Sequence, residues 1–238
     1  MVTTRTSALT GWCRKMTVCV APIKAQVARF TLLDVCGNPI TGEGSAQITT
    51  NSFTEIQNTP NYEEGQRFLL RKANGEPCIN ERDSGFFNWL EQTVTLCSLD
   101  PDLLAAVTGE TVIVDETDEV TGVVFGGGLL NNHFSLEVWQ PVGGEGACSP
   151  DGTQRFVYWA FPHVIDAQIQ QFTFQNDTFT FGFQSITKPA SPLWNIGDAW
   201  LSETPAATWG PDKHFAFNIT TVPPPEAACG AVELEPVS

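Results

Sequence analysis

No apolar stretch of about 18 residues occurs anywhere in this chain, and its first 24 residues set no run of signal-peptide length behind their basic side chains. A membrane-spanning helix and export by that route are therefore not expected. Positive charge is scarce: 12 Lys and Arg stand against 27 Asp and Glu, a formal −15 that argues against wrapping nucleic acid on a basic surface. The sequence also lacks a G-x-S-x-G elbow, a G-x-x-x-x-G-K-[ST] loop, an H-E-x-x-H pair and any C-x2-C spacing. No catalytic residue, cofactor site or metal site is expected. Gly126, Gly127 and Gly128 follow an apolar segment without the later glycine and helix of a dinucleotide fingerprint, and they read as a loop.

Histidine is rare as well. His133, His163 and His214 each sit beside aromatic or apolar residues, which predicts packing at strand ends. Seven cysteines (Cys13, Cys19, Cys36, Cys78, Cys97, Cys148 and Cys229) are an odd number without a secretion signal, so most are expected to be buried thiols rather than a disulfide framework.

What is abundant is aromatic and turn-forming: 16 Phe and 7 Trp against only 2 Tyr, with 20 Gly and 16 Pro. That balance belongs to strands and turns and excludes an all-helical fold. With 42% apolar residues, 238 residues can bury a core, and no repeat or composition shift divides them. Residues 28–34, 65–72, 88–97, 120–125, 134–140 and 154–164 have strand composition. The segment QFTFQ-ND-TFTFGF predicts a hairpin with Asn176 and Asp177 as its loop, which aligns Phe172, Phe174, Phe179 and Phe181 on one face that needs a cover. One short helix is expected over about residues 100–108, with Asp100 as N-cap, Pro101 in the first turn, Gly109 past the end, and Leu103, Leu104 and Val107 facing a sheet.

Residues 37–64 are rich in Thr, Asn, Gly and Ser and read as a long loop or extended hairpin, a kind of excursion that commonly has a partner. The tail from residue 223 begins with prolines and ends acidic, so it reads as an arm or flexible terminus. Charge is uneven. The first 33 residues hold Arg5, Arg14, Lys15, Lys24 and Arg29 and no acid, and the rest carries −20. Asp115, Glu116, Asp118 and Glu119 crowd into five positions, either a solvated acidic loop or a surface that repels something negative. Trp194, Trp200 and Trp209 recur in a Gly- and Pro-rich region, as core or interface anchors or as a sugar-stacking loop.

Four blocks appear in order: ARFTLLDVCGNPITG, VTLCSLDPDLLAAVTG, QRFVYWAFPHV and QQFTFQNDTFTFGFQSITKPASPLWNIG. They contain an L-C-x-L-D-P helix entry at residues 96–101, a Y-W-x-F-P strand from Tyr158 and Trp159 to Pro162, and a T-K-x-x-x-P-L-W exit at residues 187–194. In this the chain resembles the major tail proteins, or tail tube proteins, of long-tailed phages infecting actinobacteria. The resemblance covers most of residues 28–200; the 200–209 loop and the acidic tail match no part of it.

The resemblance implies a mainly β protein, a β-sandwich or barrel-like tail tube core with one packed helix, long loops and terminal arms. One domain would span residues 1–222, with a basic arm at 1–27 and the loop at 37–64, and a C-terminal arm would follow at 223–238. It also implies six copies per ring, rings stacked around the tape measure protein, further contacts with the tail terminator and distal tail proteins, and DNA crossing the lumen without specific binding. Such a protein assembles in the host cytoplasm into the virion. The four acids at 115–119 are then candidates for the lumen wall, and the Phe-rich face, Tyr158 and Trp159 are candidates for core or subunit interface. Both arms and residues 37–64 would reach adjacent subunits. A capsid decoration protein and a secreted carbohydrate-binding β module are the alternatives.

Overall fold

The computed structural model describes residues 19–128, 131–174, 179–194 and 209–235. Its elements run β1 (Ala21–Pro22), β2 (Val27–Leu33), β3 (Gln47–Thr50), β4 (Phe53–Glu63), β5 (Arg67–Arg71), β6 (Pro77–Arg82), β7 (Phe86–Leu96), α1 (Pro101–Thr108), β8 (Thr111–Val114), β9 (Val120–Val124), β10 (His133–Gly143), β11 (Phe156–Ile169), β12 (Phe181–Thr187) and β13 (Ala216–Thr220). The fold is mainly β with one helix, and its large sheet is antiparallel, sandwich-like and not a closed barrel. The strand order is β3-β2-β10-β11-β12-β7-β4, with β1 added to β10 and β13 to β11.

Central β10 and β11 are buried along most of their length because both of their faces are covered, and β10 buries His133, Ser135 and Glu137 among its apolar residues. One face belongs to a core of Phe30, Ile48, Val94, Leu96, Phe134, Leu136, Phe161 and Phe183, closed by Leu103, Leu104 and Val107 of α1. The other holds Trp139, Phe156, Tyr158, Trp194 and Trp209. Phe30 and Phe183 lie on strands three places apart, about 14 Å in a flat sheet. Their ring centroids are 6.1 Å apart, so the sheet curls around the first core. Its end strands β3 and β4 are consecutive in sequence, separated by Asn51 and Ser52 alone, a link that the curl allows.

Helix α1 forms as its caps dictate. Asp100 accepts from the Asp102 and Leu103 backbone N–H groups, and Gly109 takes φ 77° and donates to the Ala105 carbonyl. In β11 the ladder to β12 shifts between Ile165 and Gln168, where Asp166 adopts φ 56°. The strand thereby serves two partners on one edge, β13 along residues 156–160 and β12 along residues 164–169.

Three expectations are corrected. The stretch 37–64 is not chiefly loop: β3 buries Ile48 in the core, and β4 pairs with β7 along its whole length. Its polar composition reflects a strand at the sheet's edge with most side chains in solvent, and Pro60 is tolerated there because the edge needs no donor. The C-terminal tail is not free. Val232 exchanges backbone hydrogen bonds with Gln47, Gly42 N–H donates to the Leu234 carbonyl, and Gly230 and Ala231 N–H donate to the carboxylates of Asp100 and Asp102, so the tail covers the β3 edge. The six described cysteines, Cys19, Cys36, Cys78, Cys97, Cys148 and Cys229, are exposed free thiols rather than buried ones, because they sit in turns, at strand ends and on a solvated hairpin. The basic residues Arg5, Arg14 and Lys15 lie outside the described residues, as do Cys13, Trp200 and the 176–177 turn.

Candidate functional site

The chemistry-bearing side chains fall into buried clusters that hold strands together and exposed ones on two hairpins. Of the buried clusters, one crosses three adjacent strands. Arg29 of β2 donates to Glu137 of β10 through Nε (2.7 Å) and Nη2 (2.9 Å), and the Tyr158 hydroxyl of β11 donates to the same carboxylate at 2.5 Å. The guanidinium lies 5.2 Å from the Trp139 ring centroid, and Trp139 packs on Tyr158 at 5.0 Å. All four side chains are buried. Tyr158 is therefore a core residue. Trp159 points to the opposite face, where its Nε1 donates to Gln140 and its ring meets Phe217.

The histidines are brought together in part. His133 and His163 meet at 2.7 Å between Nδ1 and Nε2, across the β10–β11 ladder. With His163 Nδ1–H donating to the Pro189 carbonyl, its Nε2 accepts from His133 Nδ1–H, and both rings are neutral. Gly37, at φ 82°, lies against the His163 ring, where a Cβ would come within 2.8 Å of Nδ1. His214 stands apart, in contact with the Thr187 hydroxyl. Among the described residues no three His, Cys, Asp or Glu side chains form a group able to hold a metal ion.

Burial, reinforced by His133 and Lys188, lowers His163 to about 4, and burial also lowers His133 and His214. A depressed folded-state value means that the unfolded chain binds protons the native chain refuses. Stability is then full above the ordinary value near 6.5 and is lost as the pH falls toward 4, by up to about 3 kcal/mol for His163. Urea midpoints at pH 7, 5.5 and 4.5 should fall in that order, and H163Q should flatten the decline; a midpoint constant over this range would contradict the neutral pair.

The Phe-rich segment grades from core to solvent. Phe183 and Phe181 are buried, Phe179 packs against the core, and Phe172 and Phe174 are exposed. Phe172 lies 5.6 Å from both Phe174 and Phe181, and Phe174 stacks on Phe179 at 5.8 Å. The described ladder pairs Ile169 with Phe183, one residue away from the register set by a loop at Asn176 and Asp177. The bulge at residues 165–168 moves the ladder by one further residue, to Ile165 opposite Ile186.

Two hairpins project from the main sheet, and sequence reasoning did not identify them as a pair. β5 and β6 continue the β4–β7 ribbon past Phe86 as a separate two-stranded sheet. Every residue from 66 to 86 is exposed. Phe68, Leu70 and Ile79 share one face by register, and Leu69 lies on the other. This hairpin carries Arg67, Arg71, Lys72 and Arg82, four of the seven basic residues beyond residue 33. Lys72 and Arg82 pair with Glu76 and Glu64, whereas Arg67 donates to the neutral Asn80 side chain and Arg71 to the Gly75 carbonyl.

β8 and β9 form the second hairpin, packed on α1 through Val123. Its opposite face presents Ile113 and Val124 to solvent. Asp115, Glu116, Asp118 and Glu119 make its tip, and all four are exposed. Asp115 is committed to the turn: it accepts from Thr117 N–H and Oγ1 and from Glu119 N–H, bonds led by the Thr117 hydroxyl that hold its carboxyl below the usual range, while Asp118 takes φ 61°. Glu116, Asp118 and Glu119 have no cation partner among the described residues.

An open groove of about 1140 Å³ lies between β4 and the β10–β11 face, lined by rings of Phe53, Tyr62, Phe87 and Trp159 and by the amides of Asn58 and Gln140. No protein-family model matches the chain, and no curated protein matches it.

Proposed function

We propose that this chain is a structural virion protein that self-assembles into stacked six-membered rings forming a phage tail tube, with no catalytic role. The observation that carries this reading is the pair of two-stranded hairpins whose exposed apolar side chains nothing among the described residues covers. Exposed side chains there include Phe68, Leu69, Leu70, Ile79 and Phe86 on one hairpin and Val112, Ile113, Val114, Val124 and Phe125 on the other. Contiguous apolar surface of this kind marks interaction sites on soluble proteins. Free strand edges and projecting hairpins suit head-to-tail contacts, which close into rings or extend into tubes. The blocks that resemble tail tube proteins supply the particular assembly, with the tape measure, tail terminator and distal tail proteins as its partners. A net negative channel wall would pass DNA without holding its phosphates, and the −20 carried beyond residue 33 supplies that charge.

Concentrated purified protein should form tubes with sixfold end views in negative-stain electron micrographs. A monodisperse monomer at every concentration, or decoration of capsids without tubes, would overturn the reading. The groove favours a second reading as a carbohydrate-binding module, because aromatic faces beside amides are the chemistry that holds a sugar. Glycan-array binding by a protein that never assembles would select it.

A further inference from the structure

The two hairpins leave β7 at opposite ends. β5 and β6 precede Phe86, and α1 with β8 and β9 follows Leu96, so the 11-residue strand, about 33 Å long, separates their points of departure. Their charges are opposite. Residues 65–85 carry four basic and three acidic side chains, a net +1 in a region where everything else beyond residue 33 sums to −21. Arg67 and Arg71 face no carboxylate among the described residues, and Glu116, Asp118 and Glu119 face no cation. Each hairpin also exposes apolar side chains that no described residue covers: on the basic one Leu69 lies between Arg67 and Arg71 on their face, with Phe68, Leu70 and Ile79 on the other, and on the acidic one Ile113 and Val124 share a face.

The geometry points to a head-to-tail contact in which the β5–β6 hairpin of one copy docks on the β8–β9 hairpin of the next, with Arg67 and Arg71 against Glu116, Asp118 and Glu119 of that copy. This rests on the self-assembly reading and names the surfaces that join its subunits. A contact between different patches at opposite ends of β7 is heterologous, so it propagates instead of stopping at a dimer. Leu69 on the arginine face, against Ile113 and Val124, supplies adhesion, and the charges set register and direction, since like-charged ends pushed together repel. The acids at 115–119 then meet a neighbour and do not line the channel.

The test uses the full chain. R67E/R71E should keep the wild-type circular dichroism spectrum and melting temperature, because both side chains are exposed. It should raise the concentration at which tubes form by more than about a hundredfold. Adding E116R/E119R to the same chain should restore tubes, and higher ionic strength should slow wild-type assembly by screening the pair. Wild-type and R67E/R71E tubes forming at the same concentration would overturn this contact and leave the self-assembly reading standing. A wild type that never assembles would remove both. If R67E/R71E does not fold, T117C in an otherwise native chain answers the question through the exposed native Cys78 on β6. Oxidation should give a ladder of covalent multimers that C78S abolishes, and a ladder indifferent to C78S would overturn the contact.

Discussion

Glu137→Gln is expected to destabilise the protein by about 3–5 kcal/mol, a large share of the whole stability of a natural domain. Glu137 is fully buried and its two oxygens take both Arg29 donors and the Tyr158 hydroxyl. Glutamine keeps the shape but removes the negative charge, and its amide turns a donor toward groups that are themselves donors. Arg29 is then a buried guanidinium without its carboxylate, the costly half of a broken pair. A variant that replaces all three polar members, R29M/E137L/Y158F, should recover most of the loss, because it deletes the charges together and leaves none stranded. Urea denaturation separates the two cases: a low midpoint for the single variant and a near-native one for the triple. Equal midpoints for E137Q and wild type would show that the pair contributes nothing to stability.

Glu137 also marks where sequence reading stopped short. Residues 28–34 and 134–140 were legible as strands, and inside each stands one ionic side chain, Arg29 in the first, whose other charge is the terminal Asp34, and Glu137 in the second. Opposite charges embedded in two buried strands imply a cross-strand pair, and the register places Arg29 directly opposite Glu137. The helix was legible because caps are local: Asp100, Pro101 and Gly109 act within a few residues of themselves. Partners fixed by register were not. His133 and His163 meet only because β10 and β11 pair over their length, and no local feature announces that.

Misreadings at residues 37–64 and at the C-terminus share one cause, since composition reports a strand's surroundings more than its backbone. β4 has one pairing partner and mostly solvated side chains, so its residues look like loop while its backbone is held by β7. A deletion of residues 42–60 would therefore remove Ile48 from the core and break the β4–β7 ladder, and it could not leave a folded monomer. The tail is held almost wholly by backbone N–H and carbonyl groups, which leave no trace in side-chain type. The hairpin at residues 66–86 was visible as strand composition in part, but its projection from the sheet depends on what fails to cover it.

Phe181→Ala should lower stability by about 3–5 kcal/mol, whereas Phe174→Ala, a few residues away in the same ring cluster, should change it by less than about 0.5 kcal/mol. The sequence alternation treats the four rings as equivalent, and burial distinguishes them. Phe181 is 6% exposed and pairs with Leu96 at the edge of the first core; Phe174 is 83% exposed. Removing the Phe181 ring opens a cavity at the core beside Leu96, where backbone ladders on both sides of β12 prevent collapse. At Phe174 the lost contacts are with Phe172 and Phe179 on a solvated surface, and water replaces them. In a protein of this size the first change corresponds to a fall in melting temperature of about 10 °C and the second to none resolvable. If the ring cluster is instead covered by a neighbouring subunit in the assembled state, F174A should weaken assembly while leaving the monomer's melt untouched. An F181A monomer melting at the wild-type temperature would show that Phe181 is not a core ring.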